Sequence, residues 1–299
     1  MRELKHIPVL LDEAVSALQV RSGGRYLDGT FGRGGHSREI VRRGGEILGI
    51  DRDDEAIAAA GDLKVVKGGH GDLKRIALEN GWNEVDGVLL DLGVSSPQLD
   101  DAGRGFSFLH DGPLDMRMDK TSTLTAAEIV NTYSAEELER IFREFGEEND
   151  ARRIARAIAA ERGFTTTSSL AGFIERRFGR RGAHHPATKV FQALRFAVND
   201  EIGELERALQ GAFDLLKPGG RFAVITFESI TDRIVKTVFA EHVGRMVSLQ
   251  QGGERWEGIL PRAEAVTRKP IIPGEAEISS NVRARSAKLR VIEIKGGGL

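Results

Sequence analysis

The stretch that decides the fold is "LDGTFGRGGHSREI", residues 27–40. It runs from an apolar segment ending in Asp28 into a loop with four glycines, and then into a helical pattern. Glycine lets a backbone turn tightly and approach a ligand closely, and such a loop between a strand and a helix is typical of ligand-binding α/β domains. We therefore predict that this loop lies against a bound ligand.

Short apolar runs alternate with helical patterns around this stretch. The predicted strands are residues 25–28, 46–51, 64–68 and 85–91, and the predicted helices lie around 36–43, 53–60 and 72–80. Alternation at this spacing predicts a parallel sheet with helical crossovers. A capping-box pattern at Ser134 and Glu137 predicts a helix start in the long helical region that follows. Strands return at 221–227, after a predicted turn over 216–221, and at 288–294.

The pattern predicts a doubly wound, mostly parallel α/β domain interrupted by an all-helical insert. The predicted boundaries place the first part of the α/β domain at 1–115, the insert at 116–205 and the second part at 206–299.

Composition narrows the classes of site that are possible. The chain has 299 residues, a net charge of −2 and no cysteine, which excludes disulfides and thiolate metal sites. We expect no metal. No apolar run is long enough to span a membrane and the first residues do not resemble a signal peptide, so we expect a cytoplasmic protein without a membrane partner.

Acidic residues at two predicted strand ends indicate the ligand class. Asp51 can accept hydrogen bonds from ribose hydroxyls, as the acid after a second strand does in nucleotide-binding sheets. The spacing of Gly32, Gly34, Gly35 and His36 differs from the G-x-G-x-x-G of dinucleotide sites and favours S-adenosylmethionine. Asp91 and the "SSPQ" loop after it (95–98) are a degenerate form of the motif with which amino-group methyltransferases hold their target amine. An NAD-dependent oxidoreductase is the less favoured alternative.

Positive charge is concentrated in the helical region. Residues 149–199 contain ten Lys or Arg and three acids, a net charge of about +7 in a chain of −2. "RRFGRRGAHHP" (176–186) is its most compact basic stretch and contains Arg176, Arg177, Arg180 and Arg181. Because phosphate contacts supply most nonspecific affinity for nucleic acid, this asymmetry predicts a polyanionic partner. A solvated charged surface is the alternative.

Motifs along nearly the whole chain resemble the bacterial 16S rRNA (cytosine-N4)-methyltransferases, the RsmH family, formerly MraW. They are "HIPVLLDEAV" (6–15), "DGTFGRGGHSR" (28–38), "GIDRD" (49–53), "LLDLGVSSPQLDDAGRGFSF" (89–108), "DGPLDMRMD" (111–119), "HPATKVFQALRFAVNDEI" (185–202) and "VRARSAKLR" (282–290). The resemblance implies a Rossmann-like fold with a helical insert. It also implies an S-adenosylmethionine-dependent enzyme that methylates N4 of a cytosine in the decoding region of 16S rRNA within the small ribosomal subunit. A homodimer is a separate expectation.

The resemblance also implies site residues. The cofactor contacts carried over by motif are Gly34, Gly35, His36, Asp51, Asp91 and Gln98, and His70 stands where the family has a phenylalanine. The catalytic candidates are Asp91, Ser96, Asp115 and Glu228, which could hold the base or accept hydrogen bonds from its amine. Phe106 and Phe108 are candidates to hold a flipped base, with a role in the core as the equal alternative.

One motif departs from the family pattern. "FESITDR" (227–233) has Glu228 where the family has histidine and Thr231 where it has an acid. A glutamate accepts hydrogen bonds but cannot donate them when ionised, so we expect a slower enzyme than the family pattern gives. An RNA-binding assembly factor that keeps the fold without turnover is the alternative function.

Overall fold

The computed structural model describes residues 8–180, 185–249 and 253–296. The chain divides into two compact units, a sheet unit of 1–93 with 203–299 and a helical unit of 94–202. The first boundary therefore lies near 94 rather than the predicted 116, because Phe106 and Leu114 are buried in the core of the helical unit. The return to the sheet unit lies at 203 rather than 206.

The sheet unit contains a seven-stranded sheet in the order β3-β2-β1-β4-β5-β9-β8. The strands of the chain are β1 Arg25–Asp28, β2 Glu46–Asp51, β3 Val65–Lys67, β4 Val85–Asp91, β5 Leu216–Thr226, β6 Arg245–Ser248, β7 Glu254–Glu257, β8 Ala263–Ala265 and β9 Lys288–Ile294. Strands β1 to β5 are parallel, whereas β9 is antiparallel to both β5 and β8. Strands β6 and β7 form a separate hairpin. The doubly wound, mostly parallel sheet is confirmed.

The helices of the described residues follow in chain order. They are α1 Leu11–Ala17, α2 Gly35–Arg42, α3 Asp54–Ala58, α4 Leu73–Glu79, α5 Ser96–Asp100, α6 Ala126–Thr132, α7 Ala135–Glu144, α8 Ala151–Glu161, α9 Thr167–Phe178, α10 Thr188–Asn199, α11 Glu201–Leu215, α12 Ser229–Val243 and α13 Glu275–Ser280. Short 3-10 turns lie at His70–Asp72, Ala102–Arg104 and Val282–Ser286. The capping box of Ser134 and Glu137 at the start of α7 is confirmed.

The central strands are buried on both faces, as expected of a parallel sheet covered by helices. Along β4, Val88 and Leu90 join one hydrophobic core, while Leu89 between them joins the other. Along β5, Phe222 joins the same core as Val88, and Ala223 joins the same core as Leu89. Since successive side chains of a strand point to opposite faces, these near-continuous apolar runs supply both cores of the sheet unit.

The predicted turn over 216–221 is instead part of β5. Leu216 pairs with Val85, and Arg221 pairs with Gly87. The chain therefore advances five residues along β5 where it advances two along β4, and the extra residues of β5 form an irregularity in the pairing. Gly219 takes a positive φ of 79° there, a conformation that glycine adopts without strain. The turn-forming residues bend the strand without ending it.

The helical unit has its own core. Leu138 and Phe142 of α7 pack with Ile154 of α8 and Leu194 of α10, all of them buried. Among the described residues, no helix is long and apolar enough to cross a membrane.

Candidate functional site

Three carboxylates mark the carboxyl edge of the parallel sheet. Asp28, Asp51 and Asp91 are the last residues of β1, β2 and β4, which are adjacent in the order β2-β1-β4. Burial raises the pKa of Asp28 and of Asp91, and a neighbouring charge adds to each rise, that of Asp51 for Asp28 and that of Asp28 for Asp91. The structure thus brings the two predicted acids together with a third, at the edge where open α/β sheets bind ligands.

The glycine loop is shaped partly by packing within the chain. Gly34 precedes α2 with a φ of 71°, and a Cβ there would lie 2.5 Å from the Phe31 ring. A Cβ on Gly35 would lie 2.1 Å from Cγ of Pro8. Both glycines are therefore required by neighbouring side chains, a reason that the sequence pattern did not reveal.

Asp51 holds the loop in place. One oxygen accepts a hydrogen bond from the Gly32 N–H at 2.8 Å and the other accepts one from the Asp53 N–H at 2.9 Å. Burial raises the pKa of Asp51, and these two hydrogen bonds oppose that rise. Because each carboxylate oxygen can accept more than one hydrogen bond, Asp51 can fix the loop and still accept from ligand hydroxyls.

Asp91 is the least compensated carboxylate of the site. Its Oδ1 is buried without a hydrogen-bond partner in the part of the chain that the structure describes, and its Oδ2 lies 3.9 Å from Nδ1 of His36. Burial, followed by the charge of Asp28, raises the pKa of Asp91 to about 8. A buried carboxylate in this state favours a positive charge or an N–H donor beside it, which is what a cationic or amino ligand supplies.

His36 joins the site to the N-terminal segment. It is buried in the first turn of α2, and its Nε2 donates to the Val9 carbonyl at 3.1 Å when that nitrogen carries the proton. Nδ1 is then an acceptor facing Asp91. A protonated Asp91 and a neutral His36 suit this arrangement, so His36 lies at the site and also anchors the chain.

Asp28 belongs to the site although the sequence did not single it out as a ligand contact. It accepts hydrogen bonds from the Ser37 hydroxyl at 2.6 Å and from the Thr30 N–H at 3.2 Å. Burial is the main cause that raises the pKa of Asp28 to about 6. Its position as the acid ending β1, beside acids ending β2 and β4, was the available signal.

His70 lies beyond β3, on the 3-10 turn at the same edge. A Cβ placed on Gly29 of the glycine loop would lie 3.4 Å from the Cβ of His70, so His70 is adjacent to that loop.

A charged cluster lies beside this turn. Glu204 of α11 accepts a hydrogen bond from the Gly71 N–H at 2.8 Å and forms an ion pair with Arg52 at 2.9 Å. Burial raises the pKa of Glu204, but Arg52, the Gly71 N–H and His70 outweigh it and hold the pKa below the usual value. Sequence reasoning missed this cluster because its members are distant along the chain.

The predicted contacts Gln98 and Ser96 lie in the helical unit, where Gln98 has a capping role. Its Oε1 accepts from the Ser95 N–H at 3.0 Å, while the Ser95 hydroxyl accepts from the Gln98 N–H at 3.4 Å. This reciprocal capping box starts α5, and Ser96 is the first residue of that helix. The S-x-x-Q spacing in the sequence is typical of such a capping box. A cofactor contact by Gln98 and a catalytic role for Ser96 stay predictions.

Asp115 is held in an ion pair. Arg117 donates to both of its oxygens, at 2.8 and 2.7 Å. Burial raises the pKa of Asp115, but the hydrogen bonds from Arg117 outweigh burial and hold it below the usual value. Asn199 accepts from the Met118 N–H and donates to the Met116 carbonyl, which pins the same loop. The contacts give Asp115 a structural role, and its predicted role in a base pocket stays a prediction.

The two phenylalanines of "GFSF" pack inside the helical unit. Phe106 is buried in its core. The Phe108 ring is half-buried, with its centroid 4.7 Å from that of His185 and 4.8 Å from that of Phe191. These contacts agree with the role in the core that was the alternative to holding a base.

Glu228 follows β5 and precedes α12 at the carboxyl edge of the sheet. Its Oε2 is buried, and its backbone carbonyl accepts from the Thr231 hydroxyl at 3.1 Å. Thr231 therefore stabilises the first turn of α12. Asp232 of the same motif is bound by Arg290 at 2.7 Å and Lys288 at 3.1 Å, which links "FESITDR" to the "KLR" of the last strand.

The basic residues of the helical unit include buried and exposed side chains, and two of the exposed ones, Arg153 and Arg180, also form ion pairs with Asp150 and Glu175. Arg195 forms a buried ion pair with Glu201 at 2.7 Å, and Arg162 donates to the Tyr133 carbonyl at 2.8 Å. The exposed set is Arg152, Arg153 and Arg156 on α8 with Arg176, Arg177 and Arg180 around the end of α9. Arg153 lies over the Phe178 ring at 5.7 Å, which joins the two groups. Arg181 lies outside the described residues.

Groups of three or more His, Asp or Glu side chains arranged to hold a metal ion are absent from residues 8–180, 185–249 and 253–296.

Comparison with known proteins identifies the relatives of this chain. Residues 3–295 match the MraW methylase family. A ribosomal RNA small subunit methyltransferase H from Carboxydothermus hydrogenoformans is 46% identical, with 97% of this chain and 98% of the relative aligned. The protein of the same name from Symbiobacterium thermophilum is 47% identical over 98% of both chains. That from Methylobacterium nodulans is 50% identical over 96% of this chain and 90% of the relative.

Proposed function

The chain belongs to the MraW methylase family, and from this premise we propose that it transfers a methyl group from S-adenosylmethionine to N4 of a cytosine in 16S rRNA. The observation that carries the proposal is the family match over residues 3–295, together with the acids that end β1, β2 and β4. We place the target cytosine in the decoding region, within the small ribosomal subunit. A homodimer and a cytoplasmic location stay predictions.

The carboxyl edge of the sheet fits the proposed cofactor. S-adenosylmethionine carries a sulfonium and an amino group, and the buried Oδ1 of Asp91 has no hydrogen-bond partner among the described residues. Asp51 can accept from ribose hydroxyls, and the glycine loop that it holds lies at the edge where such sheets bind ligands. His36 and His70 complete the proposed contacts in the sheet unit, and a contact by Gln98 stays a prediction. When bound, the cofactor supplies an electrophilic methyl group.

The residues of the site would act mainly by positioning. The N4 lone pair of cytosine is delocalised into the ring, so the amine is a weak nucleophile that needs alignment. The carboxylates of Asp91 and Glu228 would accept hydrogen bonds from N4–H and orient its lone pair. The proton that the methylated amine releases would pass to water or to Asp91 in its ionised form, which the positive charge of the sulfonium favours.

The exposed arginines of α8 and α9 would bind the rRNA backbone. Arg152 and Arg156 are exposed on α8, and Arg176 and Arg177 are exposed in the last turn of α9. Guanidinium groups bind phosphate oxygens with two parallel hydrogen bonds, so an exposed arginine surface suits an RNA strand. We therefore assign the helical unit a role in substrate recognition.

The enzyme is favoured over both alternatives. An assembly factor without turnover would not need a buried, uncompensated carboxylate at the strand ends, where Asp91 stands. An NAD-dependent oxidoreductase is disfavoured by the spacing of the glycine loop and by the family match.

The test is mass mapping of methylated cytosines in 16S rRNA after small subunits are incubated with the protein and S-adenosylmethionine. We expect one cytosine to gain a single methyl group on N4. Reactions without cofactor and with Asp91→Asn are the controls. Binding of S-adenosylhomocysteine without methyl transfer would favour the assembly factor, and binding of NAD in its place would favour the oxidoreductase.

A further inference from the structure

The "VRARSAKLR" stretch (282–290) supplies none of the residues of the proposed chemistry. Residues 278–292 contain four cations, Arg283, Arg285, Lys288 and Arg290, and no acid. Lys288 and Arg290 share the single carboxylate of Asp232. The stretch therefore keeps an excess of positive charge after its ion pairs with Asp232 are formed.

The fold places this charge at the carboxyl edge of the sheet. Lys288, the first residue of β9, pairs with Thr226, the last residue of β5. The 3-10 turn Val282–Ser286 immediately precedes β9, so it lies at the edge where β1, β2 and β4 end in acids. Glu228 is two residues beyond Thr226 on that edge.

The turn is anchored, while its cations are exposed. Ala284 and Ala287 are buried in the core that contains Leu10. Asn281 accepts from the Arg283 N–H at 3.2 Å, which caps the turn. The side chains of Arg283 and Arg285 are exposed on either side of Ala284, and that of Lys288 is 40% exposed. A fixed backbone lowers the ordering cost of binding through these side chains.

On the basis of the proposed function, we propose that Arg283, Arg285 and Lys288 form a C-terminal basic surface that binds phosphates of the rRNA strand carrying the target cytosine. A base that leaves its stack to enter a pocket brings its own backbone to the mouth of that pocket. This surface lies on the edge that the flipped base must reach. It is separate in the chain from the arginines of α8 and α9, so the two surfaces make different contacts.

The test compares two double variants that remove the same charge. Arg283→Gln with Arg285→Gln alters the C-terminal basic surface. Arg25→Gln with Arg42→Gln is the matched control, since Arg25 begins β1 and Arg42 ends α2 at the opposite edge. Binding to small subunits is measured across a range of salt concentrations, together with single-turnover methyl transfer. S-adenosylhomocysteine binding reports whether each variant keeps its fold.

We expect the Arg283/Arg285 variant to flatten the dependence of log affinity on log salt by about 1.4, at about 0.7 per lost contact with a single strand. The control should keep the wild-type slope, and Arg283→Lys with Arg285→Lys should restore most of it. A slope equal to that of the control overturns the inference. If the double variant loses S-adenosylhomocysteine binding, the single variant Arg285→Gln is tested instead. We then expect half of the change in the salt dependence of binding. Wild-type protein that binds subunits without methylating them would refute the proposed function, while the slopes still judge the surface.

Discussion

Replacing Asp91 with asparagine should make the free protein more stable, and the gain should grow with pH. The pKa of Asp91 in the folded protein is raised to about 8, first by burial and then by the charge of Asp28. An unfolded aspartate titrates near 3.9. When the pKa of a group is higher in the folded than in the unfolded protein, its protonation favours the folded state. This contribution to the free energy of unfolding is complete below the unfolded pKa, and it is lost as the pH rises to the folded pKa. The window for Asp91 is therefore about pH 4 to 8.

The magnitude follows from that window. Within it, the wild-type protein loses about 1.4 kcal/mol of stability for each pH unit because the unfolded chain ionises and the folded chain does not. Between pH 5 and 7 the loss is about 3 kcal/mol, and Asp91→Asn should escape it. The pKa of Asp28 is raised to about 6, which adds a similar pH dependence below pH 6 in both proteins.

Urea unfolding of both proteins at pH 5, 6 and 7 and constant ionic strength is the assay. The difference in unfolding free energy should rise in favour of Asp91→Asn at each step. Asp62→Asn, which removes an exposed carboxylate of the same unit, is the control and should show a flat difference. A difference for Asp91→Asn that is also flat from pH 5 to 7 would refute the argument that burial governs this carboxyl.

Three further outcomes are expected. Asp51→Ala should weaken S-adenosylmethionine binding by roughly 1.5–3 kcal/mol, or one to two decades, in calorimetry, because a charged acceptor is lost; unchanged affinity in the folded variant would reject the ribose assignment. Glu228→His should raise the single-turnover methyl-transfer rate by about tenfold at nearly unchanged cofactor affinity, because histidine can donate one hydrogen bond that an ionised glutamate cannot. An equal or lower rate would show that neighbouring residues already compensate for the glutamate. Neutralising Arg176, Arg177 and Arg180 should flatten the salt dependence of subunit binding by about 0.7–0.9 per contact with cofactor binding intact; an unchanged slope would mean a solvated surface.

The sheet was largely predictable because its strands are apolar and end in turn-forming or acidic residues. Strands β1, β2, β4 and β9 have the predicted bounds. Strands β6, β7 and β8 were missed, since they are three or four residues long and mostly polar or exposed. The boundary near 94 was missed because the loops around Phe106 and Leu114 have no helical period, and only their burial shows which unit they join.

The site was predictable where the topology alone decides position. Asp51 and Asp91 end parallel strands, so their common edge follows from the order of the strands. The partners of Asp115 and Gln98 were not predicted, although each lies within three residues along the chain. Arg117 and Ser95 are typical loop residues, and nothing in the motif separates a side chain that faces a ligand from one that closes its own loop. The cluster of Glu204 with Arg52 depends on contacts between distant segments, which periodicity does not contain.

The packing of the first described residues on the glycine loop ties that loop to a segment that is made late in synthesis. Pro8 lies against Gly35, the Val9 carbonyl faces His36, and the Leu10 N–H donates to Glu277 at 2.8 Å. The residue that fixes Leu10 thus leaves the ribosome after more than nine-tenths of the chain has been made. A nascent chain without Glu277 lacks this hydrogen bond, so we expect the segment around Leu10 to settle beside the glycine loop late in synthesis.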